Sequence, residues 1–323
     1  MKVLVTGANG FVGRRLCPAL AERGLLVRAV SGPGMTKPVF PEAVEKAFID
    51  NIWALTDWTK YLRDIDVIIH LAARVHVMSR SGRHAISQFR RINAEGTKNL
   101  ALQAGRAGIK RLVFLSTIKV NGEQTLEKPF SEADPYDPRD AYAASKAEAE
   151  EALREVSASS GLKAVIIRSP LVYGPGVKGN LLRMMQAIKR DLPVPLGNIN
   201  NRRSLISLDN LVDVLILAAT REEALGQTFV VSDGEDFSTT DLAKMMAAAM
   251  GKKGRLISCP SGLLRLASRL APRLKPDIDR LTGSLVIDSS KFRNTLGWTP
   301  PQKSRQGIEM MVFDHLRKKG HDG

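Results

Sequence analysis

Short apolar runs alternate with longer amphipathic stretches through the first half of the chain. Val3-Val5, Leu26-Val30, Ala47-Ile49, Val67-His70, Leu112-Leu115 and Ala164-Ile167 are continuous and apolar, the pattern of strands covered on both faces. Phe11–Arg23, the stretch Ala85–Ala107 and Ala141–Ser160 carry the spacing of crossover helices. Strand and helix alternating in this way predict an α/β fold, a Rossmann-type doubly wound parallel sheet.

Beyond residue 170 the texture changes. Tyr173-Gly174-Pro175-Gly176 and Leu192-Pro193-Val194-Pro195-Leu196-Gly197 are loop-forming clusters. Helix candidates lie at Leu181–Lys189, Leu208–Thr220, Thr239–Met250, Leu263–Leu270 and Gly307–Lys319, with a strand candidate at Thr228–Val231. The expected organisation is a dinucleotide-binding domain over residues 1–170 and a smaller C-terminal substrate-binding lobe over 171–323, interleaved with the last strands of the sheet. Leu263–Leu274 is basic and amphipathic, and a helix capping the substrate lobe is preferred to one lying on a membrane.

Composition narrows the class. The chain has 323 residues, 44% hydrophobic and 25% charged, which suits one large domain carrying a lobe and argues against disorder. No apolar run approaches the ~20 residues of a membrane helix. Met1 leads directly into the strand pattern Lys2-Val3-Leu4-Val5, so no secretory leader is expected. Cys17 and Cys259 cannot build a disulfide framework, which points to the cytoplasm. The net charge of +15 asks for an anionic partner. The basic residues are scattered in pairs such as Arg14-Arg15, Arg90-Arg91, Arg202-Arg203 and Lys318-Lys319, and aromatics are only 5%, too sparse for a stacking platform. Nucleic acid is therefore not the expected partner.

Thr6-Gly7-Ala8-Asn9-Gly10-Phe11-Val12-Gly13 follows the first strand and opens the first helix. Gly7 suits the tight turn, Gly10 lets a pyrophosphate approach the backbone, and Gly13 lets helix and strand pack closely. The helix N-terminus then presents unpaired N–H groups to the phosphates. NAD sites usually place an acid at the end of the second strand. Here the sequence is Val27-Arg28-Ala29-Val30-Ser31, without a carboxylate, and Ser31, Arg28 or Arg14 is available to a 2′-phosphate. NADP or NAD is expected, with the missing acid pointing towards NADPH.

Tyr142-Ala143-Ala144-Ser145-Lys146 puts a phenol and an ammonium on one face of a helix. A phenol near pKa ~10 is a poor base at neutral pH, and a neighbouring cation is expected to lower it. Phe114-Leu115-Ser116-Thr117 ends the fifth strand and offers a hydroxyl to a substrate oxygen. His70 and His76 lack metal-ligand spacing and are expected in ordinary packing, so no metal is anticipated.

These residues resemble the extended short-chain dehydrogenase/reductases that act on nucleotide-sugars, the NAD-dependent epimerase/dehydratase group. The resemblance runs from Thr6–Gly13 through Asp50-Asn51, His70-Leu71-Ala72-Ala73 and Asn93-x-x-Gly96-Thr97-x-Asn99-Leu100. It continues with Ser116-Thr117, Tyr142…Lys146, Arg168-x-Pro170…Tyr173-Gly174-Pro175 and Arg203-Ser204…Asp209-Asn210. It implies a catalytic set of Thr117, Tyr142 and Lys146. It implies a cofactor bound by Gly7, Asn9, Gly10, Phe11, Val12, Gly13, Ser31, Asp50, Asn51, Leu71, Ala72, Ala73 and Pro170, together with Tyr142 and Lys146. Asn180, Leu181, Arg203 and Arg280, beside Thr117, would hold a UDP-sugar, the arginines through its phosphates.

Dehydratases of this group carry Asp-Glu after the catalytic Thr, whereas Thr117 is followed by Ile118-Lys119, so dehydration is not expected. A 4-epimerase holding NAD and a 4-reductase remain. The segment Ser116–Gly122 looks like bacterial reductases of UDP-4-keto-6-deoxy-N-acetylhexosamine serving surface polysaccharide, and hexose epimerases usually have Tyr at the place of Asn121. The reductase is the preferred expectation. A non-catalytic dinucleotide sensor on the same fold is the rival from another class, and the Tyr142/Lys146 pair argues against it. The alanines of Ala141–Ser160, with Ala85–Ala107, suggest a homodimer seam.

Overall fold

Residues 1–32, 40–75, 83–259 and 275–318 are described by the computed structural model. The strands are β1 (Lys2–Thr6), β2 (Leu26–Ser31), β3 (Val44–Phe48), β4 (Val67–His70), β5 (Arg111–Thr117) and β6 (Lys163–Ser169). They are followed by β7 (Leu171–Tyr173), β8 (Arg203–Ser207), β9 (Thr228–Val230) and β10 (Asp236–Phe237). Seven strands form one sheet in the order β3-β2-β1-β4-β5-β6-β9, every neighbouring pair parallel. The chain order reverses between β1 and β4, which opens a crevice at their carboxyl ends.

Both faces of the sheet are covered, which is why its strands read as unbroken apolar runs. Along β1 the side chains alternate. Val3 and Val5 pack with Leu16 and Leu20 of α1 (Gly13–Glu22) and with Leu211 and Leu215 further along the chain. Leu4, with Ile68, Leu112 and Phe114, faces the opposite layer, where Leu100, Ala104, Leu153 and Val156 are buried. The main helices in chain order after α1 are α2 (Thr59–Leu62), α3 (Arg83–Phe89), α4 (Gly96–Arg106), α5 (Ala141–Ser159), α6 (Asn180–Lys189), α7 (Leu208–Thr220) and α8 (Thr239–Ala249). A π-helical turn, Arg90–Glu95, joins α3 to α4, so the helix expected over Ala85–Ala107 is interrupted.

The C-terminal lobe has its own core, in which Leu181, Met184, Met185, Ile188, Leu242, Met246, Ile308 and Val312 pack together. Its small sheet runs β10-β8-β7, with β8 antiparallel to β10 and parallel to β7. The buried Asp233 knots lobe to sheet. It accepts from Tyr173 Oη at 2.7 Å, from Ser207 N at 3.0 Å and from Asn210 Nδ2 at 2.7 Å. β9 and α7, which come from the second half of the chain, complete the main sheet and its core.

Several elements differ from the sequence reading. The third strand lies at Val44–Phe48 rather than 47–49, because it is an edge strand with Glu45 and Lys46 exposed and so lacks a continuous apolar run. β7, β8 and β10 are only two to five residues long and escaped the pattern. The C-terminal helix begins at Ser304 rather than Gly307. His76, the helix candidate Leu263–Leu270 and the amphipathic stretch to Leu274 lie outside the described residues. Ala143, Ala147, Ala149 and Ala152 are buried within the single chain, so most of the small-residue stripe of α5 packs on its own domain. Among the described residues no helix is long and apolar enough to cross a membrane.

Candidate active site

A parallel sheet gathers the carboxyl ends of its strands along one edge. Thr6, Ser31, Phe48, His70, Thr117 and Ser169 are those ends. The candidates Gly7, Ser31, Asp50, Asn51, Leu71–Ala73, Thr117 and Pro170 therefore stand on a single rim.

At Gly7 the backbone takes φ +69°, and a Cβ would lie 2.7 Å from Ala72 N, so only glycine lets the first turn sit against the segment after β4. A Cβ on Gly13 would lie 2.5 Å from Gly7 O, the close helix–strand approach expected of that position. Gly10 N donates to Gly7 O at 2.9 Å. The first turn of α1 has no side-chain cap and no acidic residue. Arg14 N, Arg15 N and Leu16 N already bond to Gly10 O and Val12 O, so it is the turn just ahead of the helix that faces an anion. Asn9 Nδ2 ties the turn to Gly32 O at 3.3 Å, and Phe11 packs against both the main and the C-terminal cores. Val12 packs against the main core alone. The narrow glycine cradle and the uncapped helix fit a dinucleotide.

The end of β2 corrects one expectation. Arg28 is buried, and its guanidinium donates to Glu45 Oε1 at 2.6 Å and to the carbonyls of Tyr61 and Arg63 at 2.8 Å. It is committed to the β2–β3 edge and is not available to a 2′-phosphate. Ser31 is buried, whereas Arg14 is exposed and donates from Nε to Asn9 O at 2.8 Å. Asp50 and Asn51 are exposed just past β3.

Leu71 N and Ala72 N are held by Thr6, at 3.2 and 3.3 Å. Asn93, in the π-helical turn, accepts from Arg74 N at 2.8 Å and donates to Arg74 O at 3.1 Å and to Ser145 Oγ at 3.0 Å. This clamps the segment after β4 to the helix that carries Tyr142. Arg74 Nε is buried there with no partner among the described residues. His70 is packed as anticipated, bonded to Thr6 Oγ1 at 2.6 Å and Thr97 Oγ1 at 2.9 Å and stacked on Phe114. Burial, with Lys146 nearby, holds its pKa down at about 3, so it is neutral. Among the described residues no cluster of three His, Cys, Asp or Glu side chains is placed to hold a metal.

Tyr142 and Lys146 share one face of α5. The helix is N-capped by Asp140, whose Oδ1 accepts from Ala143 N at 2.7 Å. Tyr142 is partly buried, its ring edge-on to Phe89 at 6.3 Å. Lys146 is 2% exposed, with Nζ 3.8 Å from the centre of the Phe114 ring. Burial lowers the ammonium to about 7, although Glu150 opposes the shift. The expectation that Lys146 lowers the phenol is not met. Burial, which disfavours the phenolate, and the Asp140 carboxylate push Tyr142 up to about 12.

Of the two hydroxyls ending β5, the buried Ser116 is spent on Glu150 Oε1, at 2.5 Å. Thr117 Oγ1 accepts only from Lys119 N, at 3.3 Å among the described residues, which leaves its own proton to donate. Glu150 went unnoticed in the sequence. It is fully buried one turn beyond Lys146 and takes Arg168 Nη2 at 2.8 Å and Tyr136 Oη at 2.7 Å. Arg168 Nη1 also donates to Asn121 Oδ1 at 3.1 Å, and Asn121 Nδ2 holds Asp134 O at 2.8 Å. Asn121 is thus a buried residue that ties Arg168 to the backbone at Asp134.

Arg203 and Arg280 are brought together: Arg203 Nη1 donates to Arg280 O at 3.0 Å and Gly283 O at 2.9 Å. Burial and the Arg280 charge lower Arg203 from its usual value. No carboxylate pairs with Arg203 among the described residues, so the surface ion pair that would explain it otherwise is missing. Asn180 opens α6, and Arg183 Nη2 donates to its Oδ1. The Leu181 side chain is buried in the C-terminal core and can offer a ligand only its backbone. Pro170 is buried between β6 and β7.

A model of the NAD dependent epimerase/dehydratase family matches residues 3–232. The chain belongs to this family. A protein of Vibrio cholerae named UDP-glucose 4-epimerase is 39% identical over 98% of this chain and 95% of its own. A 3-beta-hydroxysteroid dehydrogenase of Mycolicibacterium neoaurum is 28% identical over 95% and 89%. The crystal structure of UDP-glucuronic acid 4-epimerase from Bacillus cereus in complex with NAD superposes with a TM-score of 0.79, covering 98% and 99% of the two chains at 21% identity. As an epimerase/dehydratase family member the chain is read as an enzyme, not as the sensor on a borrowed fold.

Proposed function

We propose that the protein interconverts C4 epimers of a UDP-linked hexose or N-acetylhexosamine, with NAD seated on the glycine turn. The carrying observation is the 39% identity, over nearly the full length of both chains, to a protein named UDP-glucose 4-epimerase. Bound NAD would supply a reversible hydride acceptor for C4. Gly7–Gly13, Ser31, Asp50, Asn51, Leu71–Ala73 and Pro170 would hold it. Thr117 donates to the C4 oxygen, and Tyr142 exchanges a proton with that oxygen. Lys146, about half charged at neutral pH, supports the phenolate when it forms. Arg203 and Arg280 grip the diphosphate while the hexose turns, supplying binding energy remote from the reacting carbon. The turn into Ile118 and Lys119 supplies no acid–base pair for dehydration.

A second reading, reduction of a UDP-4-keto-6-deoxy sugar, is favoured by one observation. The phenol held up at about 12 keeps its proton at neutral pH, ready for donation to a C4 ketone. Arg28 is committed elsewhere and lends NADPH no support, so the lean towards that cofactor rests on the missing acid after β2 alone. Purified protein incubated with UDP-glucose and UDP-N-acetylglucosamine, and separately with a 4-keto-6-deoxy derivative plus NADH or NADPH, decides between them. Epimer formed without net consumption of cofactor is expected; loss of reduced-nicotinamide absorbance with the ketone alone would replace epimerase by reductase.

A further inference from the structure

Lys119 links the end of the strand that carries Thr117 to the residue that caps the helix of Tyr142. Its backbone N–H donates to Thr117 Oγ1 at 3.3 Å. Its Nζ donates to Asp140 Oδ2 at 2.6 Å and to Glu123 Oε1 at 2.7 Å. The other oxygen of Asp140 caps α5 two residues before Tyr142. A single residue thus joins the end of β5, through its backbone, to the N-cap of the catalytic helix, through its ammonium.

We propose that Lys119 is a positioning residue, a brace that fixes the start of α5, and with it Tyr142, opposite Thr117. The inference rests on the reading of Thr117 and Tyr142 as the reacting pair. The side chains of the brace are between one quarter and one third exposed, enough screening to keep the effect moderate. Charge works in the same direction. Asp140 is the carboxylate that raises Tyr142, while Lys119 and Arg280 hold Asp140 low. Glu123 completes the group, facing Lys119 and, more distantly, Arg203. On the other side of Tyr142 stand the uncharged Phe89 ring and, on its own helix, Lys146.

The test compares Lys119→Met, Lys119→Arg and Asp140→Asn with wild type, in the full-length enzyme with NAD. Lys119→Met is expected to lower kcat about tenfold with KM unchanged within about twofold, and to speed hydrogen exchange in the first turn of α5 by a similar factor. Lys119→Arg restores most of both. Asp140→Asn keeps a capping oxygen, so it folds even if the methionine variant does not. It loosens the same turn but moves the basic limb of the pH–rate profile down, whereas Lys119→Met moves it up. Wild-type kcat and exchange in folded Lys119→Met overturn the brace. So does a loss of kcat with α5 exchange unchanged, since the lysine would then act on substrate directly. If wild type turns over no UDP-sugar, the proposed function fails, and the exchange comparison still decides the brace.

Discussion

Lys146 shows what a buried ammonium does to a folded chain. Its pKa is about 7 in the native protein against 10.5 unfolded, so the unfolded chain binds that proton more tightly. The site therefore destabilises the fold most below pH 7, and the penalty is relieved as pH climbs towards the unfolded value. Between about pH 6 and about pH 9 the relief amounts to about 2–3 kcal/mol. Lys146→Met is expected to abolish turnover yet to raise the melting temperature, by more at the acid end; equal stabilisation at both pH values would contradict the assignment. Tyr142→Phe is expected to bind NAD as wild type does and to lose turnover by at least about a hundredfold, read by cofactor titration and steady-state rates. Arg203→Ala is expected to raise KM for the UDP-sugar about tenfold or more while kcat changes little, with the UDP inhibition constant moving in parallel.

At the scale of elements, the legible parts were those whose chemistry is local. Gly7 and Gly13 announce their turn because no other residue tolerates those backbone contacts, and Tyr142 and Lys146 are four apart on a helix that the sequence marks clearly. Gly13→Ala puts a methyl against Gly7 O and Ala8 Cα, both backbone. It is expected to cost about 1–3 kcal/mol of stability and to weaken NAD binding, measured by denaturant melts and titration. What was not legible depends on partners distant in sequence. Arg28 reads as a free cation until β3 brings Glu45 beside it. Glu150 reads as one acid among several on α5 until β6 places Arg168 against it. The rise of the Tyr142 pKa has the same origin, since desolvation is a property of the packed interior and not of spacing. The π-helical turn that aims Asn93 at Ser145 leaves no periodic trace at all.

At the scale of the whole molecule, the two lobes are joined through buried polar groups as well as apolar ones. Asp233→Ala would strand Ser207 N, while Tyr173 Oη keeps Ser304 O at 3.2 Å and Asn210 Nδ2 keeps Gln302 O at 2.9 Å. A buried donor left unpaired costs roughly 1–3 kcal/mol, so a loss of about that size is expected in a denaturant melt. The excess of 15 positive charges acts at this scale too, and would draw the proposed sugar-nucleotide substrate towards Arg203 and Arg280. Substrate KM is accordingly expected to rise several-fold between low and moderate salt, and a flat dependence would count against electrostatic capture.

The strand order also sets a timetable for synthesis. Six strands of the main sheet, β1 to β6, have left the ribosome by Ser169, yet the seventh, Thr228–Val230, follows only after the small sheet has begun. Until it arrives, the outer edge of β6 presents unpaired amides and carbonyls to whatever is nearby, including another nascent copy. A chain stalled within that interval is the form most prone to clump, and a chaperone that shields one bare strand edge would serve this protein best.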